Sequence, residues 1–115
     1  MLSKDFQLKA ILEKVYRDFQ AVAVRMPKKD RFYFREKTER LMLDTLEDVY
    51  RYSYHPAARH ETAVRMSLNV LIFRDFLRLA FDSNMGIPPG TYLQIGRDLL
   101  FVLKILKTLR NAAHF

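Results

Sequence analysis

Met66-Ser67-Leu68-Asn69-Val70-Leu71-Ile72-Phe73-Arg74-Asp75-Phe76-Leu77-Arg78-Leu79-Ala80 is the stretch that decides the fold. Met66, Val70, Phe73, Leu77 and Ala80 recur at intervals of 4, 3, 4 and 3 residues, which places them on one side of an α-helix. Ile72, Phe76, Leu79 and Phe81 widen that side past half of the cylinder. A surface helix needs an apolar stripe of only about 100°. The expectation is a central helix, residues 57–83, buried against several neighbours. Its polar residues Arg74, Asp75, Arg78 and Asp82 gather on the remaining strip, with Asp75 and Asp82 three and four residues from Arg78 as its partners.

Three further helices cover it. Residues 4–26 carry Leu8, Leu12, Val15, Phe19, Val22 and Met26 in the same 3/4 rhythm, and Pro27 ends the run because the residue before a proline is driven out of the α region. Asp30 is the expected N-cap of a helix over 31–54. Its seam is Phe34, Thr38, Met42, Thr45 and Val49, with Leu46 and Tyr50 beside it. Its polar side pairs with itself at i,i+4: Glu36 with Arg40, Arg40 with Asp44, Glu47 with Arg51. Pro56 suits the first turn of the third helix. Asn84-Met85-Gly86-Ile87-Pro88-Pro89-Gly90 closes that helix, with Gly86 as the expected left-handed cap. The last helix, 89–111, has Tyr92, Ile95, Leu99, Val102, Leu106 and Leu109 as its seam. The fold class is all-α: one domain over 1–115, an antiparallel up-down-up-down four-helix bundle.

The totals agree with this. A chain of 115 residues, half of them hydrophobic, supports one core. The absence of cysteine excludes disulfides and thiolate metal sites. No apolar run approaches the roughly 20 residues of a membrane span, and the start, with Asp5, lacks the apolar stretch of a secretory signal. A cytoplasmic protein with no membrane partner is expected. The excess of 20 Lys+Arg over 13 Asp+Glu gives a net charge of +7 and points to a polyanionic partner.

Catalysis finds little support. The three glycines form no phosphate loop. His55 and His60 lack metal-pair spacing, and His114 stands alone. The inward helix positions are Leu, Val, Phe and Met rather than the Glu and Glu-x-x-His sets of a di-iron bundle. No cofactor and no enzymatic activity are expected. Two features remain. Val64, Leu68, Leu71, Leu93, Leu100 and Phe101 lie outside the seams and predict an interface between copies of the chain. Arg25, Lys28, Lys29, Arg31 and Arg35 surround the first connection, while Arg97, Lys104 and Lys107 stripe the last helix with only Asp98 to offset them locally. Both groups share an end of the bundle, so a merged basic side is expected. It would bind RNA or DNA through phosphates, without base reading.

The order of these motifs resembles a known family. The run Met26-Pro27-Lys28-Lys29-Asp30-Arg31-Phe32, the RDFLRLAFD ending of the third helix and the IPPGTYLQI opening of the fourth are similar to the four-helix bundles of the Avd proteins, the accessory variability determinants of diversity-generating retroelements, and of the proteins encoded in ribosomal RNA intervening sequences. Arg74 and Arg78 match that family's paired arginines. Leu103 stands where the family often has glycine, and the chain has no tryptophan where the family has one. The resemblance implies a homopentamer with a basic exterior, encoded by a bacterium or phage. It would bind nucleic acid and a partner reverse transcriptase in support of mutagenic reverse transcription. The intervening-sequence branch implies instead a structural or protein-interaction scaffold without a nucleic-acid role.

Overall fold

The first helix, α1 (Ser3–Ala23), forms because its apolar residues fall on one seam, and Leu8, Leu12, Val15, Phe19 and Val22 are buried along it. The computed structural model describes residues 3–113, with backbone alone at 3, 30 and 31. The helix ends three residues earlier than the spacing predicts. Arg25 N–H and Met26 N–H bond back three residues, to Val22 O (3.0 Å) and Ala23 O (3.2 Å), so the last turn before Pro27 tightens rather than continuing as α-helix. Met26 nevertheless stays buried.

Helix α2 (Lys28–Tyr54) begins directly after Pro27, which occupies the N-cap position and offers no side-chain cap. Asp30 therefore lies inside the helix and not at its cap, a correction to the sequence reading. Its side chain lies outside the described residues. A single 3-10 turn (Pro56–Ala58) leads into α3 (Arg59–Asp82), and α4 spans Pro89–Ala113. The left-handed cap of α3 is Asn84 (φ 56°), not Gly86. Asn84 N–H bonds Phe81 O and Met85 N–H bonds Ala80 O, which satisfies two of the terminal carbonyls in a Schellman arrangement. Gly86 (φ 88°) serves the loop instead, where a Cβ would meet the carbonyl oxygen of Arg25 at 3.4 Å.

The four helices occupy the corners of a bundle 45 × 23 × 19 Å in extent. Helix α1 packs on α2 and α4, and α3 packs on the same two, so α1 faces α3 and α2 faces α4 across the diagonals. Phe19 of α1 reaches across the centre to Phe73 of α3, edge to face at 5.4 Å, and touches Phe34 of α2 at 6.4 Å. Phe81 and Tyr92 stack at 4.2 Å where α3 hands over to α4.

Helix α3 is not the enclosed centre that its composition suggests. Met66, Val70, Phe73, Leu77 and Ala80 are fully buried, but Leu68, Leu71, Ile72 and Leu79 are exposed. The reason is geometric: a corner helix has two neighbours, which cover one side of it and leave the rest to solvent.

Candidate nucleic-acid interface

Helix α4 turns Ile95, Leu99, Val102, Ile105, Leu106 and Leu109 inward. Asp98 is its only acidic residue, and that carboxylate points toward α1. Lys14 Nζ donates to Asp98 Oδ2 at 2.6 Å and to Asp18 Oδ2 at 3.1 Å, and Gln94 Nε2 donates to Asp98 Oδ1 at 3.3 Å. The bond to Asp98, and next the one to Asp18, holds the Lys14 ammonium above its ordinary pKa. The outward side of α4 is left to Arg97, Lys104 and Lys107. All three are exposed, and none forms an ion pair among the described residues.

Leu93, Leu100 and Phe101 occupy this same outward side. Leu93, Leu100 and Lys107 are seven apart and share one stripe, bordered by Arg97 and Lys104. The apolar and the basic features, separate in the sequence reading, are thus one surface with two chemistries. Leu68 and Leu71 are exposed on α3, the neighbour of α4. Arg78 pairs weakly with Asp75 at 4.0 Å, whereas its other expected partner, Asp82, makes no ion pair among the described residues. Arg74 is half-buried.

The cations of the first connection divide. Arg25 sits just past the end of α1 against the start of α4, lining a shallow groove with Asp18, Val22, Pro88 and Thr91. Lys28 and Lys29 belong to the first turn of α2, across the diagonal from α4. Lys104 and Lys107 lie about 22 and 27 Å along α4 from its start. The single merged side expected from sequence is therefore corrected to two basic regions that approach only at the bundle end, through Arg25. The Arg31 side chain lies outside the described residues.

In the rest of α2 the arginines pair with carboxylates of the same helix, while Lys37 forms no ion pair among the described residues. Arg35 donates to Glu39 at 2.7 Å, Arg40 lies 3.7 Å from Glu36, and Arg51 contacts Glu47 at 3.2 Å. The expected Arg40–Asp44 pair is not formed among the described residues.

Two carboxylates escaped the sequence reading. Asp48 is buried, and receives both Nε and Nη2 of Arg65 on α3, at 2.9 and 2.7 Å, plus Arg51 Nη1 at 2.9 Å. Asp48 raises the pKa of both arginines, as a bidentate charge-assisted bond should. The signal was available: Asp48 lies three residues after Thr45 and beside Val49, on the buried side of α2. Asp5 is also buried, and accepts Ser53 Oγ at 2.8 Å. Near it, Tyr52 O–H donates to Leu109 O at 2.9 Å. Burial, and then the nearby Asp5, raise the Tyr52 pKa against the opposing pull of Arg59. These groups tie helix ends together and belong to the scaffold. No helix among the described residues is long and apolar enough to cross a membrane. A comparison with family models, curated proteins and solved structures found no match for the chain.

Proposed function

We propose that this protein is a non-catalytic, cytoplasmic accessory bundle of a bacterial or phage diversity-generating retroelement. It binds template RNA or DNA and a partner reverse transcriptase, and works as a homopentamer. The observation that carries the nucleic-acid reading is the outward side of α4: the helix's only carboxylate is engaged with Lys14 on α1, so Arg97, Lys104 and Lys107 present positive charge that no ion pair among the described residues offsets. Cations without an internal partner are the ones available to displace the counterions of a phosphate chain. The family resemblance supports the same reading and supplies the reverse transcriptase and the subunit number.

Replacing Arg97, Lys104 and Lys107 together by Glu should abolish retention of RNA and DNA while the helical circular dichroism stays unchanged. In milder form, Ala at all three should lower the salt slope of binding by about 2. Undiminished binding would reject α4 as the interface. A mass of one chain by light scattering would reject the oligomer.

The second reading is a protein-interaction scaffold of the intervening-sequence type. It is favoured by the exposed Leu93, Leu100 and Phe101 between the cations, since apolar side chains of that size add little to phosphate binding. A reverse-transcriptase gene with a template repeat beside this gene favours the first reading, and a position inside a ribosomal RNA gene favours the second.

A further inference from the structure

We propose that the N-terminal half of α2 is a stacking platform for single-stranded nucleic acid, with Phe32 and Tyr33 as the side chains on which unpaired bases rest. The inference builds on the nucleic-acid reading above and narrows its substrate to a single strand. Among the described residues, Phe32 and Tyr33 are the two most exposed large hydrophobic side chains, at 78% and 73%. The sequence reading gave them no role, and the core does not use them.

Each ring borders its own concavity. Phe32 lines an open cleft of about 560 Å³ with Lys28, Arg35 and the Glu39 that Arg35 holds, and Tyr33 lines a smaller one of about 250 Å³ with Lys37 and Arg40. Glu36 borders both clefts and is an acceptor for the exocyclic amine of an unpaired base.

Charge complementarity selects the occupant. Lys29 lies three and four residues before the two rings, one turn toward the start of the helix, and Lys37 lies four residues after Tyr33. Lys28, Lys29 and Lys37 form no ion pair among the described residues, while Glu39 is held by Arg35 and Glu36 lies 3.7 Å from Arg40. The span from Lys29 to Arg40 is about 16 Å of helix, room for two or three phosphates of an extended strand with the rings between them. A placement of two lysines in the first turn, against the positive end of the helix dipole, costs local stability and is expected where a site requires it. A duplex keeps its base faces inside the stack, so it could use the lysines but not the rings. A single strand uses both.

The test compares a labelled single-stranded RNA of about 12 nucleotides, within the site size of such surfaces, with a blunt duplex of the same length, both at low salt. Phe32→Ala and Tyr33→Ala should each lower single-strand affinity on the order of tenfold and leave duplex affinity within about twofold. Phe32→Trp should retain single-strand binding and, in a chain that otherwise has no tryptophan, give emission quenched by the single strand and not by the duplex. Unchanged single-strand affinity in both alanine variants, equal losses on both probes, or an unquenched tryptophan would overturn the platform while the nucleic-acid reading stood. Failure of the unaltered protein to bind either probe would instead refute that reading.

Discussion

Helices α2 and α4 stand at opposite corners of one bundle, and they treat charge differently: the described arginines of α2 pair within the helix, while Lys28, Lys29 and Lys37 near its start form no ion pair among the described residues. On α2, Arg35, Arg40 and Arg51 each meet a carboxylate of their own helix, and Arg51 also shares Asp48 with Arg65 of the next. On α4 the only acid is drawn away to Lys14, and the outward cations stand alone among the described residues. Both helices show exposed apolar side chains, but of different kinds: aromatic rings at the start of α2, leucines and Phe101 along α4. Formal charge does not separate a solvated surface from a binding one. What separates them is whether each cation already has a partner within reach. An exposed i,i+4 pair contributes only about 0.3–0.5 kcal/mol, yet it lowers the local potential that a phosphate chain would meet.

The largest effect lies beneath both surfaces. Phe73 touches Phe19 at the centre of the bundle, and Phe73→Ala should cost about 3–5 kcal/mol in chemical denaturation. Both corners should then unfold in one transition. A cost below about 1 kcal/mol, or two separate transitions, would mean that α2 and α4 do not share one core.

Next is the anchor of the self-paired corner. Asp48→Ala removes the acceptor of a bidentate bond between α2 and α3, and should cost about 2 kcal/mol, because both arginines remain partly hydrated. Charge-pair optimisation confined to α2 would predict a much smaller loss, so the size of the effect decides whether Asp48 holds α3 in place.

The smallest effect addresses α4. Asp98→Asn weakens the Lys14 pair and should cost less than about 1 kcal/mol, since Lys14 is exposed. It should raise nucleic-acid affinity by no more than about threefold, through loss of one negative charge behind the stripe. A drop in affinity would show that Asp98 positions the interface, and the contrast between the two corners would need redrawing.

Much of the scaffold was readable from periodicity. The seams of α1 and α3 fall where spacing puts them, and so does that of α4 except that Ile105 is also buried and Tyr92 only half-buried, because close packing on one side demands an apolar residue every third or fourth position. The turn chemistry was read less well. Gly86 was the obvious left-handed residue, but Asn84 comes first in the chain and tolerates that region well enough to cap α3. The candidate interface was legible as a list of cations and not as a surface. Spacing puts Arg97, Lys104 and Lys107 on one side of α4 and Asp98 on another, but cannot say that Lys14 of α1 takes up Asp98. Nor could it say that Lys28 and Lys29 belong to a different corner. Phe32 stands in the sequence only as the end of the run 26–32 and Tyr33 in no motif, because residue type alone does not tell an exposed ring from a packed one.

By itself, the sequence determined the number of helices, their buried seams and the surplus of positive charge, since each follows from residue type and local spacing. Tertiary structure alone decided which helices are neighbours and which are diagonal. It thereby decided which carboxylate reaches which cation: Asp98 to Lys14 across α1 and α4, Arg65 to Asp48 across α2 and α3. Pairing depends on distance in space, falling off over a few ångströms, and helical spacing fixes that distance only within one helix.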